Sequence, residues 1–131
     1  MRALVVDDIA INRLVLRELL KVVGIEAAEA ESASDGLALL AIERFDIVLM
    51  DLRMPGMDGL AAIRKIREGE NGEPPMPVIV VTADEAADLA KRCAAAGADH
   101  LIRKPVIYSD LVAALVAAFE RPPELADQAQ A

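Results

Sequence analysis

The sequence is poor in several things at once. Its 131 residues include one cysteine, one tyrosine, two phenylalanines and no tryptophan. A lone cysteine, Cys93, excludes any internal disulfide and fits a reducing, cytoplasmic setting. It lies in Lys-Arg-Cys-Ala-Ala-Ala, a helical pattern in which a free thiol reads as a small packing residue. With only Phe45, Tyr108 and Phe119 as aromatics, the core must be built from Val, Leu, Ile, Ala and Met. There is no long basic run, and the formal net charge is −8. That balance argues against nucleic-acid binding through a phosphate-neutralising surface, and against anionic membranes. No apolar run is long enough to span a membrane, and the stretch after Arg2 is too short for a signal peptide.

What is present is an alternation. The length suggests one domain with its own core. Residues 2–6 read as a strand ending in Asp7-Asp8. A helical stripe follows, made of Ile11, Leu14, Val15, Leu19 and Val22, and Gly24 closes it. Residues 25–30 read as a weaker strand, wet along one edge through Glu26, Glu29 and Glu31. Ser34 and Asp35 are the expected caps of a helix carrying Leu37, Leu40 and Ala41, with Ile42 beside it. Residues 46–50 contain the apolar run Ile-Val-Leu-Met and deliver Asp51 to its end, before a Pro55-Gly56 turn. Such a run reads as a buried parallel strand. Asp58 caps a helix with Leu60, Ile63 and Ile66 inward. Residues 70–77 read as a loop, and 77–81 as a strand ending in Thr82. A helix is predicted over 84–96 with Gly97 closing it, a strand over 98–102, and a helix over 109–119 with Leu111, Leu115 and Phe119 inward.

Five strands alternating with five helices imply a parallel sheet covered on both faces. Reaction sites in such sheets lie beyond the carboxyl ends of the strands. Those ends carry Asp7, Asp8, Asp51, Thr82 and Lys104. If the sheet is doubly wound, they converge on one edge. Three carboxylates sharing a site repel one another, and a divalent cation removes the conflict. Hard oxygen donors suit Mg2+. Asp51 is then a candidate both for metal ligation and for nucleophilic attack on phosphorus, with Lys104 and the Thr82 hydroxyl to neutralise and position the transferred group.

Asp7-Asp8, Asp51 within Leu-Met-Asp-Leu-Arg-Met-Pro-Gly-Met-Asp-Gly, Thr82-Ala83 and Lys104-Pro105 together resemble the receiver domain of bacterial two-component response regulators. The likeness covers about residues 1–119. It implies a flavodoxin-like (βα)5 fold with strand order 2-1-3-4-5, a receiver over residues 1–120 and a flexible tail over 121–131. It implies that Asp51 accepts a phosphoryl group from a histidine kinase or histidine phosphotransfer protein, as a step in a phosphorelay. By the same resemblance Asp8 and Asp51 ligate Mg2+ (or Mn2+ in its place), Asp7 acts directly or through water, and the Arg53 main-chain carbonyl is a further ligand. Ala83 leaves room for the phosphoryl group, the Lys104–Pro105 bond is expected to be cis, and no separate substrate is turned over. Helix 1, chiefly Ile11, Asn12 and Val15, is the implied docking surface for the phosphodonor protein. The face of helix 4, strand 5 and helix 5 is implied to meet a downstream target. The stretch from Asp7 to Leu20 resembles receivers of hybrid histidine kinases more than those of transcription factors, which leaves a single-domain regulator or a hybrid-kinase receiver.

One position departs from the family pattern. Where the resemblance calls for an aromatic switch residue, three before the lysine, this chain has Leu101, beside His100. A muted switch, or one working through Thr82 and the loop after it, is expected instead. The alternative is a receiver used as a binding module with little or no phosphorylation-dependent switching. A phosphatase of the haloacid-dehalogenase type is disfavoured, because the place of its second acid holds Arg53. Arg53 and Asp84, each two residues beyond a site residue, are expected to pair across the pocket mouth and to tune the phosphoryl lifetime.

Overall fold

Strands and helices alternate along the whole computed structural model, which describes residues 1–54, 56, 58–69 and 75–119. In chain order they are β1 (Arg2–Val6), α1 (Ala10–Val22), β2 (Glu26–Ala30), α2 (Ala33–Ile42), β3 (Ile47–Met50), α3 (Gly59–Glu68), β4 (Val78–Thr82), α4 (Leu89–Ala96), β5 (His100–Arg103) and α5 (Tyr108–Phe119). The strands form one sheet in the order β2-β1-β3-β4-β5, with every pairing parallel. This is the flavodoxin-like arrangement. Pro55, residues 70–74 of the expected loop, and residues 120–131, including the expected tail, lie outside the described residues.

Strand periodicity divides the core in two. Leu4, Val6, Val48, Met50, Val78 and Val80 face one side and pack with Ala33 of α2, Ile63 of α3, and Leu89 and Cys93 of α4. Ala3, Val5, Ile47, Leu49, Ile79 and Val81 face the other and pack with Leu16 and Leu20 of α1 and Leu111 and Leu115 of α5. Burying a side chain of this size contributes about 1.5–3 kcal/mol. The central strands β3 and β4 are buried at every residue, so they read as unbroken apolar runs. The edge strand β2 carries Glu26 and Glu29. Arg17 and Arg13 hold the Glu29 carboxyl below the usual carboxylate range and tie α1 to that edge.

Several helix expectations are corrected. In α1 the buried residues are Leu16 and Leu20, with Leu19 packed beside them, while Ile11, Leu14, Val15 and Val22 are exposed. The helix has more apolar residues than one face can bury, and the sheet covers only a narrow stripe. The cap of α2 is Ser32, whose Oγ accepts the Asp35 N–H at 3.0 Å, and not Ser34 or Asp35. Ala41 is exposed and Ile42 is 78% exposed, while Leu37, Leu39 and Leu40 pack inward. The α4 helix begins at Leu89 rather than at 84, because side chains satisfy the preceding N–H groups: Thr82 Oγ accepts from Asp84 N at 3.2 Å and Asp84 Oδ1 from Ala86 N at 2.9 Å. Such local bonds compete with helix formation. Phe119 is exposed rather than inward. Asp58 caps α3 as expected, accepting from Ala61 N at 2.8 Å.

A half-buried clamp closes the end of the sheet opposite the strand-end carboxylates. Arg67 donates to the Gly97 carbonyl at 2.7 and 2.9 Å, to the Met76 carbonyl at 2.7 Å and to Asp99 at 3.1 Å. Gly97 has φ +110°, and a Cβ there would stand 2.8 Å from Arg67 Cγ. Gly24 has φ +82° with open space around it. Left-handed backbone alone makes Gly24→Ala cost about 1–2 kcal/mol. Gly97→Ala is expected to lose more stability than that in urea unfolding, because strain and displacement of Arg67 add. Equal losses in the two variants would show that the clamp contributes nothing.

Candidate functional site at the carboxyl edge of the sheet

Four of the five strands deliver a polar residue to this edge. β1 hands over Asp7, β3 Asp51, β4 Thr82 and β5 Lys104. The parallel order places β1 and β3 side by side, so Asp7 and Asp51 meet, and β4 and β5 follow outward. Asp7, Asp51 and Thr82 are the buried polar residues of the described chain, with Asp51 5% exposed and Thr82 fully buried. Asp8 is exposed at the rim. One carboxylate oxygen from each of Asp7, Asp8 and Asp51 lies within 4.8 Å of the others.

Lys104 is the cation of this cluster. Its Nζ donates to Asp7 Oδ2 at 2.9 Å and stands 3.5 Å from Asp51 Oδ2. The Lys104–Pro105 peptide bond is cis. Asp7 is held further by its Oδ1, which accepts the Ile9 N–H at 2.9 Å, while Arg13 Nη1 donates to the Asp7 carbonyl at 2.7 Å. Asp51 Oδ1 accepts the Arg53 N–H at 3.3 Å. Among the described residues no buried side-chain nitrogen or oxygen lacks a hydrogen-bond partner. Arg53 and Asp84 face each other across 3.8 Å at the mouth, with the Arg53 side chain 68% exposed. Ala83 is exposed beside Thr82, Leu101 is half-buried against the core of the α2–α3–α4 face, and His100 is half-buried. Cys93 is buried, and burial pushes its thiol up, away from the reactive thiolate.

Two side chains that hold main-chain atoms of the site residues escaped the sequence reading. Arg13 supports Asp7 through its carbonyl, and Arg103 Nη1 donates to the Asp84 carbonyl. Both act on main-chain oxygens, which every residue has. The only sequence signal available was their position: Arg13 in the first turns of α1, and Arg103 directly before Lys104.

Burial raises the Asp51 carboxyl above the ordinary carboxylate range, against the lowering effects of the Arg53 N–H and Lys104; the Asp7 charge raises it further. The donor set fits a hard divalent cation: three carboxylates converge, and one of them is desolvated and short of positive charge. The stability consequence has a definite sign. A raised carboxyl favours the folded state when protonated, so ionised Asp51 works against folding. That penalty is absent below the unfolded carboxyl value and is fully developed once pH exceeds the raised folded one. Asp51→Asn is therefore expected to raise the melting temperature of chelator-treated protein at pH 7, with the gain fading as pH falls into the ordinary carboxylate range. A gain independent of pH would refute the electrostatic origin.

Comparison with known proteins agrees with this geometry. The family model described as response regulator receiver domain matches residues 3–116. The sensory/regulatory protein RpfC of Xanthomonas campestris pv. campestris is 37% identical over 113 residues, covering 86% of this chain and 16% of the relative. The sensor histidine kinase RcsC of Escherichia coli is 40% identical over 107 residues, covering 81% and 11%. The chain thus spans 11% to 27% of the length of the curated relatives it matches. Among solved structures, a response regulator receiver domain protein from Clostridium thermocellum superposes with a TM-score of 0.81 at 31% identity, covering 95% of this chain and 98% of that one. A response regulator receiver protein from Pseudomonas putida gives a TM-score of 0.78 at 33% identity, covering 87% and 93%. The chain belongs to the response regulator receiver domain family.

Proposed function

We propose that the protein is the phosphoacceptor switch of a two-component phosphorelay, taking a phosphoryl group from a phosphohistidine onto Asp51. The observation that carries this reading is the pairing of a desolvated carboxylate at the end of β3 with two further carboxylates and the Lys104 ammonium, 3.5 Å away. In the proposed transfer an Asp51 carboxylate oxygen attacks phosphorus as the P–N bond breaks, and the imidazole leaves with the bonding electron pair and takes up a proton. Lys104 holds one phosphoryl oxygen by its charge, the Thr82 hydroxyl donates to another, and Ala83 leaves space for the group. Asp7, Asp8, Asp51 and the Arg53 main-chain carbonyl would hold Mg2+, or Mn2+ in its place, which neutralises charge on the transferring group. Phosphorylation and hydrolysis at Asp51 occur on the protein itself, with no separate substrate turned over.

The phosphodonor, a histidine kinase or histidine phosphotransfer protein, would dock along α1. Ile11 is 60% exposed there, Val15 is also exposed, and a cavity of about 430 Å3 lined by Asn12, Val15, Leu16, Lys104, Pro105 and Val106 opens beside the site. The α4–β5–α5 face would meet the downstream target, and the setting would be cytoplasmic. A second reading, a binding module with muted switching, is favoured by Leu101, which has neither ring nor hydroxyl to exchange between inside and outside.

Incubation with Mg2+ and a small phosphodonor, followed by intact-mass measurement, is expected to add one labile phosphoryl group. Asp51→Asn or a chelator should abolish the gain; a wild-type protein that never gains it would favour the binding module. Arg53→Ala is expected to speed loss of that phosphoryl group about two- to fivefold, the scale of an exposed ion pair of at most about 1 kcal/mol, because the Arg53–Asp84 pair hinders the attacking water. An unchanged decay rate would remove Arg53 from that role.

A further inference from the structure

We propose that Arg103 is a positioning residue that latches the β4–α4 connection, residues 83–88, in the geometry of this structure and thereby opposes occupation of the phosphoryl site. The proposal rests on the reading of Asp51 as phosphoacceptor. It is carried by a chain of contacts that runs from the surface to a fully buried hydroxyl. Arg103 ends β5 opposite Thr82 in the β4–β5 register. Its Nη1 donates to the main-chain carbonyl of Asp84. The same residue's N–H donates to Thr82 Oγ at 3.2 Å, and its carboxylate accepts from Ala86 N at 2.9 Å and faces Arg53 at 3.8 Å. One residue of the connection is therefore gripped at its carbonyl, its N–H and its carboxylate. The Arg103 grip comes from the end of β5 and the looser Arg53 contact from the loop after β3, while the other two are local.

A phosphoryl group on Asp51 adds three strong acceptor oxygens beside the end of β4. Thr82 is fully buried there and its hydroxyl proton is the neutral donor on the adjacent strand. Thr82 Oγ already accepts the Asp84 N–H, so any shift of Oγ toward a new acceptor pulls on that bond. The N–H can follow only if residues 83–86 move, and Arg103, fixed in the sheet through the β4–β5 pairing, holds the Asp84 carbonyl back. The connection is tied to α4, which starts at Leu89, only at its far end, where the Ala86 carbonyl accepts from Leu89 N at 3.2 Å and the Asp88 carbonyl from Arg92 N at 3.1 Å. The far end of α4 is pinned independently: Gly97 N donates to the Cys93 and Ala94 carbonyls, and its carbonyl accepts from Arg67. The latch therefore acts on the near end alone.

The sign of the effect separates this role from simple electrostatics. Loss of a cation near an anion site weakens anion binding by Coulomb attraction, whereas loss of a latch tightens it. Beryllofluoride with Mg2+ serves as the phosphoryl mimic, titrated by calorimetry into wild type, Arg103→Ala and Arg103→Lys, with Asp51→Asn as the site control and thermal melting to confirm folding. Arg103→Ala is expected to tighten binding about three- to tenfold, the scale of one exposed charge-assisted hydrogen bond, and Arg103→Lys to return toward wild type. In metal-free protein, the Asp84 and Ala86 amides should exchange faster in Arg103→Ala while those of β1 and β3 do not change. Weaker or unchanged binding by Arg103→Ala, or unchanged exchange at Asp84 and Ala86, would overturn the latch while leaving the phosphoacceptor reading intact. Wild type that binds beryllofluoride no better than Asp51→Asn would overturn both.

Discussion

Two buried carboxylates and one ammonium set the terms for the rest of this molecule. Asp7 and Asp51 come from neighbouring strands and would repel each other in a site that water barely reaches. Lys104 Nζ lies between them, at 2.9 and 3.5 Å. It comes from the far edge of the sheet, 97 residues after Asp7. Removing one member of such a group leaves a desolvated charge without a partner, which is far costlier than losing an exposed ion pair. Lys104 nevertheless leaves Asp51 undercompensated, since burial still holds its carboxyl high. A divalent cation is what that imbalance can accept. Chemistry and electrostatics therefore point to the same atom.

Positioning these groups takes a rigid frame, and the frame is made from unremarkable materials. There is no disulfide, and none of the aromatics belongs to the largest fully buried side chains. Two aliphatic layers, one on each face of the sheet, hold the strands. Because β3 and β4 are buried at every position, their register is fixed: a shift of one residue would exchange the two layers and move Asp51 and Thr82 away from the edge. The polar ties are peripheral. Arg67 closes the end of the sheet away from the carboxylates, and Arg13 and Arg17 bind α1 to the exposed edge strand.

The sheet and the candidate site were legible for local reasons. An apolar run ending in an acid, as at Ile47–Met50 and Asp51, carries both the strand and its functional end in one stretch of chain. Helix faces were less legible. Residues 11–22 hold more aliphatic side chains than one face can bury, so periodicity alone did not separate Leu16 and Leu20 from Ile11, Leu14, Val15 and Val22. The start of α4 was missed because Thr82 and Asp84 satisfy nearby N–H groups with their own side chains, a choice that depends on where β4 ends. Arg13 and Arg103 were missed because carbonyl partners leave no mark in a sequence.

The sequence by itself determined the alternation of strand and helix, the residue types at the strand ends, and the family resemblance that the comparisons bear out. Those properties are local, written in hydrophobic period, glycine and acid placement, and a short motif. Only the tertiary structure decided how those residues meet: that Asp7 and Asp51 share one ammonium, and that Arg103 grips the main chain beside Thr82. Contacts of that kind depend on strand order and on the depth at which each helix packs, and both arise from burying two aliphatic layers at once. No stretch of the chain contains that requirement alone.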